Sequence, residues 1–242
     1  MLNLICGCIA IVYTLQNGIN IQYDGNLVAF SEKMWMASLF IGIAAVIDFL
    51  DGFVARLFNA SSEMGKQLDS LADTVSFGVA PSMIMYQFLR MSYASGENGV
   101  NTSIWVLFPA FIIAAAGAYR LARFNLDTTQ SYGFKGVPIP AAGLLIASLP
   151  LIYWQTNNET LINLLTNKWF LYLLIILVSG LMVSTLPLMA LKFKNISIKD
   201  NLPKFILVGF AILAAIFLQW LAVPVVFIGY IILSLAFKNK TA

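Results

Sequence analysis

Long apolar runs, each close to the length of a membrane-spanning helix, occupy most of this 242-residue sequence. A bilayer core of about 30 Å is crossed by roughly 20 helical residues. Measured against that length, the sequence predicts about eight transmembrane helices, at residues 2–16, 34–57, 70–90, 104–123, 137–154, 168–190, 203–219 and 221–237. The runs are continuous and do not alternate, which argues against the strands of a transmembrane barrel. The predicted fold is an all-α polytopic membrane protein.

The composition excludes a soluble globular domain. Hydrophobic residues make up 60% of the chain and charged residues 10%, whereas soluble domains have about 45–50% apolar and about 25% charged residues. The first run lacks the basic flank and the small-residue cleavage site of a signal peptide, so we expect it to be a span. With no internal repeat and no low-complexity tract, the sequence predicts one membrane domain over residues 1–242.

The last apolar run, over 202–237, is too long for one untilted span. A tight turn near Gln219, Trp220 and Pro224 divides it into two helices, because Trp favours the membrane interface and Pro favours a helix start. One long kinked helix is the alternative.

The basic residues predict the orientation of the chain. If the N-terminus is cytoplasmic and the spans alternate, 11 of the 14 basic residues fall on the cytoplasmic side, as the positive-inside rule requires. Lys33, Arg90 and Lys168 fall outside. Both termini are then cytoplasmic, and the expected location is the cell (inner) membrane. We interpret the lysines over 192–199 as contacts to anionic lipid, and no nucleic-acid partner is expected.

Four aspartates interrupt the apolar runs. Asp48 and Asp51 lie within the second run, and Asp69 and Asp73 lie at the start of the third. An aspartate at mid-membrane costs about 2.5–3.5 kcal/mol on insertion scales, and less toward the interface. Four of them require a compensating interaction.

The helical spacing predicts that these carboxylates converge. At 100° per residue, one stripe of the second helix carries two acids and two small residues, Asp48, Asp51, Gly52 and Ala55. A matching stripe of the third helix carries Gly65, Asp69, Asp73 and Ser76. The connection is short and polar, so the helices are antiparallel neighbours with the acids at their cytoplasmic end.

A cluster of carboxylates points to metal chemistry. Like charges cannot stay ionised together without cations. The chain has no histidine, and an all-oxygen site selects hard cations such as Mg²⁺, Mn²⁺ or Ca²⁺. Four carboxylates suffice for two ions, a geometry suited to phosphoryl transfer. A cation-coupled transporter is the alternative, and it predicts acids at the bilayer midplane with access from both sides.

Together the two stripes form the pattern Asp48-x-x-Asp51-Gly52-x-x-Ala55-Arg56, then eight residues, then Gly65-x-x-x-Asp69-x-x-x-Asp73. This pattern resembles the signature of the CDP-alcohol phosphotransferase family. Its members are integral-membrane helical bundles that transfer a phosphatidyl or related group from a CDP-activated donor to an alcohol, releasing CMP.

The resemblance implies a role for each position. Asp48, Asp51 and Asp69 would hold a pair of divalent metals, Mg²⁺ or Mn²⁺. Asp73 would complete that site and act as the general base. The residues implied in binding the CDP donor are Asp48, Gly52, Ala55, Arg56, Gly65 and Asp69.

The flanking segments narrow the resemblance. Residues 2–8, 69–81, 119–125 and 136–143 resemble members of the family that use serine as acceptor. This implies CDP-diacylglycerol and L-serine as substrates, a surrounding lipid membrane and a homodimer. It also implies a six-helix catalytic core over 1–190, with two additional C-terminal helices over 203–237. Glycerol 3-phosphate or an inositol is the alternative acceptor.

Five further residues are candidates for binding the acceptor or a lipid phosphate: Lys66, Ser76, Arg120, Arg123 and Lys135. Guanidinium groups suit phosphate and carboxylate alike. Anchoring of the arginines by snorkelling, and packing of Ser76, are the alternatives.

Overall fold

The computed structural model describes residues 1–16, 20–21, 28–29, 33–58, 62–95, 102–126, 133–189 and 198–237. Helices dominate this part of the chain. In chain order, α1 to α10 are Leu2–Gln16, Met34–Leu57, Glu63–Asp73, Ala80–Ala94, Ile112–Leu126, Ile139–Gln155, Glu159–Leu165, Lys168–Val183, Ile198–Leu218 and Ala222–Ala236. A π-helical segment, Thr74–Val79, joins α3 to α4 without a break. Short 3₁₀ turns at Ile104–Val106 and Phe108–Phe111 lead into α5.

Two small antiparallel strand pairs accompany the described helices. Strands β1 (Asn20–Ile21) and β2 (Val28–Ala29) form one pair. Strands β3 (Gly133–Lys135) and β4 (Pro187–Met189) form the other, with Lys135 opposite Pro187. The second pair links the chain before α6 to the chain after α8.

Helices occur at all eight predicted positions, and their composition makes this an α-helical membrane protein. Three stretches are long and apolar enough to cross a bilayer, namely Met34–Ala55, Ile104–Leu126 and Asn201–Ala236, the last of which contains both α9 and α10. The pair α7 and α8, bent by 61°, adds a fourth. Helices α1 and α6 are shorter than this test requires. The number of crossings therefore stays a prediction.

The C-terminal run folds into a hairpin at the predicted turn. A 3₁₀ turn, Gln219–Leu221, separates α9 from α10, and Gln219 adopts a left-handed φ of 51°. A Cβ atom at Gly229 would lie 2.8 Å from the ring of Phe210. In one continuous helix these residues would be about 28 Å apart, so the kinked-helix alternative is excluded.

Helix α6 lies at the centre of the bundle, in contact with α2, α4, α10 and the π-helical segment. Small residues allow this close packing. A Cβ atom at Gly143 would lie 3.0 Å from the backbone of Phe77, and one at Gly117 would collide with Ile139. The π-helical segment is therefore packed against α1, α5 and α6.

The five tryptophans all lie at the end of the bundle opposite the predicted aspartate cluster: Trp35, Trp105, Trp154, Trp169 and Trp220. Two of them are in direct contact. Trp35 stacks on Trp154 with ring centroids 5.7 Å apart, and the neighbouring Gln155 contacts Gln219. Because tryptophan favours the interface between lipid and water, this end is suited to a membrane surface.

Candidate active site

Three aspartates from two helices meet at the other end of the bundle. One carboxylate oxygen from each of Asp48, Asp69 and Asp73 lies within 4.8 Å of the other two. Asp48 is half-buried, Asp69 is exposed, and Asp73 is 8% exposed. Asp51 lies one turn farther along α2, is exposed and does not belong to this group. Of the four carboxylates predicted to converge, the structure therefore brings three together.

The N-cap of α3 fixes the start of the helix that carries Asp69 and Asp73. Ser62 is the N-cap, and its Oγ accepts a hydrogen bond from the backbone N–H of Gly65 at 3.0 Å. Such a cap satisfies one of the free N–H groups of the first turn. From this fixed start, Asp69 and Asp73 follow one turn apart on the face toward α2. The π-helical segment begins directly after Asp73, and such segments are frequent at functional sites.

Asn3 was missed by the sequence reasoning. Its Nδ2 donates a hydrogen bond of 2.9 Å to Oδ1 of Asp73, and the residue is 2% exposed. An amide within the first apolar run is the same kind of anomaly as the aspartates, so a signal was present. Asn3 gives α1 a direct contact with the aspartate cluster.

Ser76 anchors the same part of α1. Its hydroxyl donates to the backbone oxygen of Asn3 at 2.9 Å, and the residue is fully buried. Gly7 makes this approach possible, since a Cβ atom there would lie 2.8 Å from the Cα of Ser76. In this structure the hydroxyl serves packing, as the alternative interpretation of Ser76 states.

The acids repel one another without a cation. Partial desolvation, followed by the charge of Asp51, raises the pKa of Asp69 above its ordinary value. A divalent cation would favour the ionised carboxylates instead. The donor set, three carboxylates with no nitrogen or sulphur among them, matches the preference of hard cations.

Arg120 faces this cluster from α5. It is 6% exposed, interacts electrostatically with Asp73 and Tyr230, and lies over the ring of Phe124 at 5.5 Å. A buried guanidinium near the acids suits an anionic substrate group.

Arg123, one turn later on α5, forms hydrogen bonds to backbone carbonyl groups. Its guanidinium donates to the carbonyl oxygens of Val183 at 2.7 Å, Ser184 at 2.9 Å and Lys135 at 3.1 Å. A cation that binds the last carbonyls of a helix stabilises its C-terminal end. Arg123 therefore braces the end of α8 against β3.

Lys66 and Lys135 lie at the surface. Lys66 forms an ion pair of 2.9 Å with Glu63, and both side chains are exposed. Lys135 is the last residue of β3 and is exposed. The structure places both lysines at the end of the bundle that carries the aspartate cluster.

The remaining predicted donor residues lie on α2. Gly52 and Ala55 are half-buried and follow Asp48 by one and two turns. Arg56 is part of the same helix, but its side chain lies outside the described residues.

A tight turn connects β3 to α6 beside Lys135. Gly136 has φ 80°, and a Cβ atom there would lie 2.6 Å from the carbonyl oxygen of Met182. Its N–H donates to Leu186, and the N–H of Val137 donates to Leu181, at 2.9 and 3.0 Å. This position requires glycine, because both the φ and the space exclude a side chain.

A cleft of about 270 Å³ lies at the tryptophan end, between the end of α6 and the α9–α10 turn. Its lining includes Gln155, Asn158 and Gln219 but none of the predicted site residues. The aspartate cluster at the opposite end remains the candidate active site.

Comparison with known proteins decides the family. A sequence model of the CDP-alcohol phosphatidyltransferase family matches residues 1–179. The chain belongs to this family. The match contains the aspartate cluster and ends before the hairpin of α9 and α10.

Similar curated proteins share one description, CDP-diacylglycerol–serine O-phosphatidyltransferase. The protein from Helicobacter pylori is 39% identical over 204 residues, covering 83% of this chain and 78% of its own. The protein from Bacillus subtilis is 36% identical over 151 residues, covering 62% and 72%. The protein from Mycobacterium bovis is 33% identical over 211 residues, covering 84% and 68%.

Proposed function

We propose that this protein transfers the phosphatidyl group of CDP-diacylglycerol to the hydroxyl of L-serine and releases CMP. One observation carries the proposal. The family signature brings Asp48, Asp69 and Asp73 to within 4.8 Å of one another at one end of a membrane bundle. The relatives described as serine phosphatidyltransferases specify the acceptor.

The aspartates would hold divalent metal, Mg²⁺ or Mn²⁺. Asp48, Asp69 and Asp73 supply the described cluster, and Asp51, one turn from Asp48, would contribute to a second ion. When bound, such ions neutralise charge on the phosphoryl oxygens.

Asp73 is the proposed general base. It is the most buried acid of the cluster, and Asn3 occupies one of its oxygens. The other oxygen takes the proton of the acceptor hydroxyl. The hydroxyl oxygen forms its bond to the phosphorus of the phosphatidyl group as the bond from that phosphorus to the CMP oxygen breaks. The electron pair of the broken bond leaves with CMP.

Some of the neighbouring residues would bind the CDP donor, and others would bind the acceptor or the lipid phosphate. On α2 the small side chains of Gly52 and Ala55, with Arg56, leave room for the cytidine nucleotide, and Gly65 frames it from α3. Arg120 and Lys135 bind the serine carboxylate or the lipid phosphate, with Lys66 at the rim. The diacylglycerol chains of the donor remain in the bilayer.

The proposal includes eight crossings, cytoplasmic termini and a catalytic face toward the cytoplasm of the inner membrane. The basic residues at the aspartate end support this orientation, namely Lys66, Arg120, Arg123 and Lys135. Residues 1–190 form the catalytic core of a single domain, with six spans if α3 with α4 and α7 with α8 each count as one, and residues 203–237 add two helices. The protein acts as a homodimer, as the resemblance implies.

Purified protein in detergent tests the function. CMP release that requires CDP-diacylglycerol, a divalent cation and L-serine is the expected result. Release with glycerol 3-phosphate or inositol, and not with serine, would move the protein to another branch of the family. No release with any acceptor, together with cation flux in vesicles, would favour a transporter and overturn the proposal.

A further inference from the structure

Helix α10 is apolar except at two positions on one face. Its sequence carries Tyr230 and Ser234, four residues apart, among thirteen small or apolar residues. Both are buried, at 6% and 1% exposure. Polar groups buried in a membrane helix face protein partners, because lipid offers them no hydrogen bonds.

Both side chains bind the same residue of β4. The hydroxyl of Tyr230 donates to the carbonyl oxygen of Met189 at 2.9 Å, and the N–H of Met189 donates to Ser234 Oγ at 3.3 Å. Both backbone polar groups of Met189 are thus satisfied by α10. Strand β4 has a strand partner on one side, and the free N–H and C=O groups of such an edge need other hydrogen-bond partners.

The β3–β4 strand pair connects α10 to residues near the candidate active site. Met189 lies opposite Gly133 and Pro187 opposite Lys135. The carbonyl oxygen of Lys135 accepts from Arg123. The pair is therefore held by α10 on the β4 side and by α5 on the β3 side.

Tyr230 also lies within electrostatic range of Arg120, the buried arginine that faces the cluster. Arg120 in turn interacts with Asp73. Helix α10 lies outside the region that the family model matches, which ends at residue 179. The hydrogen bonds of α10 to Met189 are therefore a feature that the family signature does not explain.

We propose that α10 is a positioning element for the acceptor side of the active site. Tyr230 and Ser234 hold β4, and the pairing of β4 with β3 sets the position of Lys135. Arg123 links β3 to α5, the helix that also carries Arg120. The inference rests on the proposed function, and of the two anionic groups named there it takes the serine carboxylate as the ligand of Arg120 and Lys135.

The double variant Tyr230→Phe with Ser234→Ala tests the inference. It removes both bonds to Met189 and little side-chain volume. We expect the KM for L-serine to rise about threefold to tenfold, as for the loss of one or two hydrogen bonds. The KM for CDP-diacylglycerol and kcat should stay within about twofold of the unmodified protein.

Tyr172→Phe is the matched control. The hydroxyl of Tyr172 also donates to a backbone carbonyl, that of Val106 at 2.6 Å, but at the tryptophan end. A purely structural effect would appear in both variants. An equal rise in the KM for serine in both, or a rise confined to the KM for CDP-diacylglycerol, would overturn the inference.

Amide hydrogen exchange supplies a readout that needs no activity. Peptides that cover 133–137 and 187–189 should exchange faster in the double variant than in the unmodified protein. In Tyr172→Phe their exchange rates should be unchanged. If the unmodified protein releases no CMP, the proposed function fails while exchange still tests the docking. Unchanged exchange, or faster exchange with an unchanged KM for serine, would overturn the inference. Ser234→Ala alone serves if the double variant does not fold, with the same expected direction.

Discussion

Asp73 differs from the other acids of the cluster in its burial and its partner. It is 8% exposed and accepts a hydrogen bond from Asn3, whereas Asp69 is exposed. Spacing placed Asp73 correctly on the helix face. The bond to Asn3 joins residues 70 positions apart, and helical periodicity carries no information about such a contact.

Replacing Asp73 by Asn tests its assignment as base. The amide keeps the size of the side chain and one oxygen but takes no proton. We expect kcat to fall about 10²-fold to 10⁴-fold, the usual contribution of general base catalysis, in a CMP-release assay. Glu159→Gln, an exposed change at the start of α7, is the control and should be neutral. Near-normal turnover by Asp73→Asn would show that the base is another group.

Asn3 orients Asp73 in this account. Asn3→Ala removes the bond to Asp73 Oδ1, and hydrogen bonds to charged groups contribute about 1.5–3 kcal/mol. We therefore expect kcat to fall about tenfold to a hundredfold, with little change in either KM. Thr14→Val, a buried change at the other end of α1, is the control. Equal losses of kcat in both variants would indicate that α1 acts only through packing.

At the scale of elements, the lengths of the apolar runs predicted the helices. The turn near Gln219 was predicted because Trp220 and Pro224 mark an interface and a helix start, and the structure confirms it. The π-helical segment after Asp73 and the β3–β4 pair were not predicted. Both depend on tertiary contacts, such as the packing of Phe77 on Gly143, that leave no periodic pattern in the sequence.

Of these elements, the turn at Gly136 should tolerate substitution least. Gly136→Ala places a Cβ atom 2.6 Å from the carbonyl oxygen of Met182 at a φ of 80°. We expect the thermal transition in detergent to fall by several degrees, because the strain costs about 1–3 kcal/mol. Gly180→Ala in α8 has nothing within 4 Å and should be neutral or stabilising. Equal stability of the two variants would contradict the turn geometry.

At the scale of the molecule, charge and tryptophan content indicate opposite ends of one bundle. The proposed orientation predicts the labelling of single cysteines by a membrane-impermeant reagent, after Cys6 and Cys8 are replaced by Ala. Glu63→Cys, exposed at the first position of α3, should react only from the cytoplasmic side. Thr160→Cys, exposed at the tryptophan end, should react only from the other side. The reverse pattern would invert the topology and remove the cytoplasmic active site.

The central claim is that aspartates from α2 and α3 jointly hold divalent metal. Titration of purified protein with Mn²⁺, followed by electron paramagnetic resonance, measures this directly. We predict that Asp48→Asn and Asp69→Asn each weaken Mn²⁺ binding by about tenfold or more, since each removes a charged ligand. Glu63→Gln, which removes an exposed acid outside the cluster, should bind as the unmodified protein does. Equal Mn²⁺ affinity in all four proteins would contradict the shared metal site.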